Sequence, residues 1–198
     1  MELKKCFLYK AIPTTNTDKP FFGWIGGCPP VCFDKEDTSL MGYLFYMTII
    51  LPNKQRQISI FLPEDWEIYL NKDRYPDCAI KVIEHDVSLE GITIELQHPV
   101  IIKHDIILYK ECCDTETESE PFLVKLGGKP RLVQNKKIYY DQLEKDGYSF
   151  YMQIDEDGYP LDGLLKGNYP FCYGALYLYA KQNNSIVENI IAGYWQST

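Results

Sequence analysis

The sequence predicts an α+β protein that is predominantly antiparallel β, an internal duplication of two β-rich halves sharing one core. The first observation is a repeated motif. Pro20-Phe21-Phe22-Gly23-Trp24-Ile25-Gly26-Gly27-Cys28-Pro29 returns as Pro121-Phe122-Leu123-Val124-Lys125-Leu126-Gly127-Gly128-Lys129-Pro130, at an offset of 101 residues. The second is the echo that follows: Phe45-Tyr46-Met47 succeeds one copy as Phe150-Tyr151-Met152 succeeds the other. The third is the recurrence of short aromatic and β-branched runs, several with period-two alternation, and the scarcity of helical periodicity.

Taken in order, Lys4 to Ile12 reads as an opening strand or short helix, and residues 13–20 as a polar loop closed by proline. A second solvated loop covers residues 34–39. Gly42 to Leu51 and Gln55 to Leu62 then read as a hairpin around Pro52-Asn53-Lys54, the second strand setting Gln57 and Ser59 against Ile58 and Ile60. Acidic residues cluster at the start of Pro63 to Leu70, with no Gly or Pro after the first position, which predicts a short helix beginning at Pro63. Strands are expected at Ala79 to Glu84, Ile92 to Leu96 and Val100 to Tyr109.

Residues 111–120 are acidic and aperiodic, an expected exposed joint between a first half at 1–110 and a second at 121–198 within one compact, pseudo-symmetric domain. In the second half, Lys136 to Lys145 fits a helix or an exposed strand. Tyr148 to Ile154 reads as a strand, Asp155-Glu156-Asp157-Gly158 as a turn, and Ala175 to Ala180 as a strand matching Ile58 to Phe61.

A chain of 198 residues, 45% apolar and 14% aromatic, is long enough to bury a continuous core. Its net charge of −8 disfavours nucleic-acid binding, which needs clustered Lys and Arg to displace counterions, and suits a basic partner. Sixteen Tyr suit half-buried strand positions and contact surfaces. The seven Cys are an odd number, and Met1 to Lys10 lacks a long apolar core and a small-residue cleavage site, so a reducing cytoplasm is expected. Apolar stretches such as Met47 to Leu51 fall far short of the ~20 residues that span a bilayer.

Gly26, Gly27 and Pro29, with Gly127, Gly128 and Pro130, read as structural turns: glycine admits positive φ and proline fixes the exit. A phosphate loop would need a following helix and a Lys-Ser/Thr pair at the right spacing, which neither copy has. Cys28 and Cys32, and Cys112-Cys113, are the close thiol pairs in sequence, and neither has zinc spacing, so no metal and no cofactor is expected. His85, His98 and His104, with Asp105, are the residues an enzyme would use, although Pro99 interrupts any shared ladder. Asp155, Glu156 and Asp157, and Glu64, Asp65 and Glu67, concentrate carboxylates at a turn and a helix start. They are the candidate partner-binding surface.

The run Leu126-Gly127-Gly128-Lys129-Pro130, then Phe150 to Asp155, then Gly174-Ala175-Leu176-Tyr177-Leu178-Tyr179 resembles the YwqG-like family of bacterial proteins. The match is strongest in residues 121–180, and Thr48-Ile49-Ile50 replaces Gln-Ile-Asp in the first half. The pattern is also similar to that of the programmed-cell-death-2-like ribosomal-protein chaperones, whose cysteine-rich insert is missing here. The resemblance implies a duplicated antiparallel β fold and no catalytic residues, in a family that turns up among immunity proteins of polymorphic-toxin systems. The expectation is a non-enzymatic immunity protein that neutralises a basic toxin. The alternatives are a chaperone for a basic client and an enzyme with a His/Asp site.

Overall fold

A computed structural model describes residues 5–14, 20–35, 38–52, 55–114, 117, 119–161, 163–183 and 186–198. The centre of the expected 13–20 loop, the turn residues Asn53 and Lys54, and Thr115, Glu116 and Glu118 of the expected joint lie outside them.

The described residues form one ten-stranded antiparallel sheet and two short helices. The strands are β1 (Lys5–Pro13), β2 (Phe21–Ile25), β3 (Tyr43–Ile50), β4 (Arg56–Pro63), β5 (Lys81–Asp86), β6 (His104–Cys113), β7 (Val124–Gly127), β8 (Ser149–Asp155), β9 (Ala175–Asn183) and β10 (Ile186–Gln196). The helices are α1 (Trp66–Asn71) and α2 (Asp141–Lys145). Spatial order is β10-β9-β8-β7-β1-β6-β2-β3-β4-β5. Two meanders, β2 to β5 and β7 to β10, thus flank a central β1·β6 pair, in which β1 pairs with β7, the first strand of the second meander, and β6 with β2, the first strand of the first. The sheet curls until its edges nearly meet. Ahead of β5, Tyr75 N–H donates to Gly193 O at 2.6 Å and Trp195 N–H to Asp73 O at 3.0 Å, so an irregular segment closes the seam against β10.

Alternation along the strands sends one face inward. Tyr9, Ile25, Met47, Ile60 and Ile106 from the first half meet Val124, Met152 and Leu178 from the second in a single interior core. The outer face is covered in patches, by Trp24, Phe33, Phe45 and Phe61 over the first meander and by Leu143, Tyr177, Tyr179 and Tyr194 over the second. The meanders match in detail. A register shift falls between Phe45 and Met47 where β3 meets β4, and another between Phe150 and Met152 where β8 meets β9. Beyond these, Ile58, Ser59 and Ile60 stand opposite β3 as Leu176, Tyr177 and Leu178 stand opposite β8.

Several expectations need correction. Ile92 to Leu96 is not a strand: it holds a 3-10 turn at Ile94–Leu96, and its apolar residues Ile92 and Ile94 are 83% and 66% exposed. The helix begins at Trp66 and not at Pro63, which still belongs to β4, because Asp65 is the cap: its side chain accepts from the N–H groups of Glu67 (2.9 Å) and Ile68 (3.1 Å). The expected joint does not begin at 111, since Glu111 to Cys113 complete the central strand β6. Asp114 and Thr117 beyond it are anchored. Lys125, only 2% exposed on β7, donates to Asp114 Oδ1 (3.0 Å), Thr117 Oγ1 (3.2 Å) and Lys129 O (2.6 Å), using all three ammonium hydrogens.

Candidate binding cleft

Both glycine pairs make turns in the left-handed region: φ is +68° and +72° at Gly26 and Gly27, and +78° and +70° at Gly127 and Gly128. In each turn the next N–H meets a carboxyl: Cys28 donates to Glu90 Oε1 at 3.1 Å and Lys129 to Asp114 Oδ1 at 2.8 Å. In each, that carboxyl also holds a lysine, Lys103 at 2.5 Å from Glu90 and Lys125 at 3.0 Å from Asp114. Pro29 is buried and its carbonyl accepts from Gly91 at 2.8 Å, whereas Pro130 is partly exposed.

Two members of the acidic cluster at 155–157 are buried, which corrects the expectation that they face a partner. Asp155 and Glu156 are 4% and 3% exposed. Asp155 pairs with Arg131 at 2.8 Å and caps Asp157 N–H at 3.0 Å. Glu156 accepts from the N–H groups of Phe171 (2.7 Å) and Gly174 (3.1 Å), so it organises the chain entering β9. Burial pushes its carboxyl up to about 7 against the pull of those donors. Asp157 alone of the three is exposed. Glu64, Asp65 and Glu67 are exposed, with Asp65 occupied as the helix cap.

Glu64 stands on the rim of a cleft of about 720 Å³. One wall is the end of β4 and α1, with Trp66 and Tyr69. A second wall is the 167–173 loop, with Tyr169 and Tyr173, and His98 and Val100 line the space as well. The first wall is fixed from below, because Tyr69 is buried, stacks on Trp195 with ring centroids 4.7 Å apart, and donates from its hydroxyl to Pro170 O at 3.1 Å. The second is fixed by Glu156 and by two backbone bonds, Ile102 N–H to Leu164 O (2.7 Å) and Lys166 N–H to Val100 O (2.8 Å). Cys172 and Tyr173 adopt φ of +52° and +62°, uncommon for non-glycine residues, and this bend brings Tyr173 to stack on Tyr169 at 4.1 Å. Trp66 and Tyr173 remain 53% and 62% exposed.

Among the described residues that line it, the cleft has one acidic side chain, Glu64, and no Lys or Arg. Burial holds His98 down to about 4, so its ring is neutral at ordinary pH, and its Nδ1 has no hydrogen-bond partner among the described residues. Cys172 is pushed up by burial and then by the charge of Glu156, which keeps it a thiol. Aromatic faces beside a carboxylate are an environment for a cation.

The three histidines lie on separate elements. His85 on β5 meets Ser59 Oγ at 2.8 Å, His98 lines the cleft, and His104 on β6 meets Ile102 O at 3.1 Å, while Asp105 bonds Thr14 at 3.2 Å. Among the described residues no three His, Cys, Asp or Glu side chains converge to hold a metal ion, and no helix is long and apolar enough to cross a membrane. Sequence reasoning missed Tyr169 and Tyr173; the signal was Tyr169-Pro170-Phe171-Cys172-Tyr173-Gly174, an aromatic run bounded by turn residues. No protein-family model matches the chain, and no curated protein matches it.

Proposed function

We propose that the protein is a non-enzymatic binding module that takes a basic segment of a protein partner into this cleft, and that the partner is a toxin which it neutralises as an immunity protein. The observation that carries the proposal is the half-exposed pair Trp66 and Tyr173, from different elements, on the lining of a cleft where Glu64 is the one acidic side chain among the described lining residues. Large aromatic side chains held from below lose little conformational freedom on binding and anchor interfaces. A Lys or Arg side chain entering between them gains cation–π attraction and a carboxylate partner. The net charge of −8 adds long-range steering for such a partner. The resemblance to the YwqG-like family favours a toxin over a chaperone client.

The matched glycine turns and matched register shifts support a second part of the proposal, that the meanders descend from one duplicated unit. The cleft is then a junction where the end of the first meander's hairpin meets the approach to the second's.

Co-expression with the product of the neighbouring reading frame tests the function. The expected result is rescue of growth and a stable complex that Trp66→Ala and Tyr173→Ala each weaken at least tenfold, about 1.4 kcal/mol, with the fold intact. A complex indifferent to both substitutions removes the cleft from the account.

A further inference from the structure

We propose that Cys6 and Cys112 are a modification site: a thiol pair that a hydroperoxide closes into a disulfide across the central strands. The pair is formed by topology alone, since 106 positions separate the two residues in sequence. They stand directly opposite one another where β1 meets β6, with Sγ atoms 3.5 Å apart, and the Cys6 thiol also donates to Cys112 O at 3.4 Å. Both are buried, Cys6 completely and Cys112 to 6% exposure, against Leu8 and Phe122 on the outer face of the sheet.

Opposite residues of an antiparallel pair hold their Cβ atoms about 4.5–5.5 Å apart, close to the roughly 3.5–4.5 Å of a disulfide. Bringing sulfur to bonding distance therefore needs side-chain rotation and a small closing of the pair, with no change of register. Cys113 is the neighbour in sequence and points to the other face of the strand. Cys28 is engaged elsewhere, accepting from Gln97 Nε2 at 2.9 Å.

The chemistry balances with one hydroperoxide. Cys112, the less enclosed of the two, gives up its proton, and its sulfur attacks the terminal peroxide oxygen. The O–O bond breaks, an alcohol (water when the oxidant is hydrogen peroxide) leaves with that proton, and a sulfenic acid remains. The Cys6 sulfur then displaces the hydroxyl, which leaves as water with the Cys6 proton. Two thiols are oxidised by two electrons and the peroxide is reduced by two. In the resting state burial and the neighbouring Cys112 push the Cys6 thiol up to about 12, so Cys6 is slow toward alkylating agents. The product ties β1 to β6 at the centre of the sheet, and it closes a loop that spans half of the chain. The inference stands independently of the binding proposal.

Hydrogen peroxide treatment of the full chain, followed by blocking of free thiols and peptide mapping, is the test. The expected product has lost two hydrogens, links the peptides containing Cys6 and Cys112, and raises the unfolding midpoint by about 10 °C, reversibly with dithiothreitol. Cys6→Ala and Cys112→Ala should each abolish the rise. Mapping needs no variant, so it decides even if an alanine substitution folds poorly. A different pairing, sulfinic acid at Cys112 with no crosslink, or a crosslink that leaves the midpoint unmoved overturns the proposal.

Discussion

The backbone N–H of Lys129 donates to Asp114 Oδ1 at 2.8 Å, and the same carboxylate oxygen occupies the space a side chain at Gly128 would need. A Cβ built on Gly128 would lie 2.0 Å from it, at a φ of +70°. Two independent constraints thus make this position glycine. Gly42 carries only one, a φ of +76° with nothing within 4 Å of its missing Cβ. Gly42→Ala should lose about 1 kcal/mol and Gly128→Ala about 2–4 kcal/mol, the difference being displacement of Asp114 from its ion pair. Urea unfolding of the two variants measures it, and equal losses would show that the carboxylate moves aside freely.

Lys125 gives a second prediction. With Asp114, Thr117 and Lys129 O as its partners and 2% exposure, it is a buried charge whose attraction to Asp114 offsets its desolvation. Lys125→Met should cost about 3 kcal/mol by leaving Asp114 without its cation, and Lys125→Met with Asp114→Asn should recover part of that. A double variant less stable than the single one would contradict the pairing.

His98 and Glu156 oppose each other in pH. His98 falls from 6.5 unfolded to about 4 folded, so it adds stability above pH 6.5 that is lost as pH falls toward 4. Glu156 rises from 4.5 to about 7, so it adds stability below pH 4.5 that is lost as pH rises through 7. Between 4.5 and 6.5 the two slopes cancel in the intact protein. Relative to it, Glu156→Gln should become more acid-sensitive across that window, and His98→Asn should lose stability as pH rises. Denaturant midpoints at half-unit pH steps check the signs, and parallel profiles for all three proteins would refute them.

Much of the sheet was legible because its information is local. Gln57 and Ser59 alternate with Ile58 and Ile60, and the paired glycines announce their turns. β10 was not legible: register shifts between Glu188 and Ile191 and between Ala192 and Tyr194 break its period-two pattern. The alternation at Ile92 to Leu96 misled because Ile92 and Ile94 are left exposed. Asp155 and Glu156 looked like surface residues, yet their partners Arg131 and the backbone at 171–174 lie far along the chain. The cleft was half visible for the same reason, with Glu64 in an acidic run and its second wall a hundred residues away.

The central claim, that this cleft accepts a cation between aromatic walls, can be read from one chromophore. Of the three tryptophans, Trp24 and Trp195 are buried at 1% and 6% exposure, and Trp66 is the exposed one. Its emission should report occupancy directly. Titration with a short arginine-rich peptide at low and high salt should give a saturable change in Trp66 emission that weakens with salt and is lost in Glu64→Gln. Emission that ignores the peptide, or a response that Glu64→Gln leaves intact, would contradict the account.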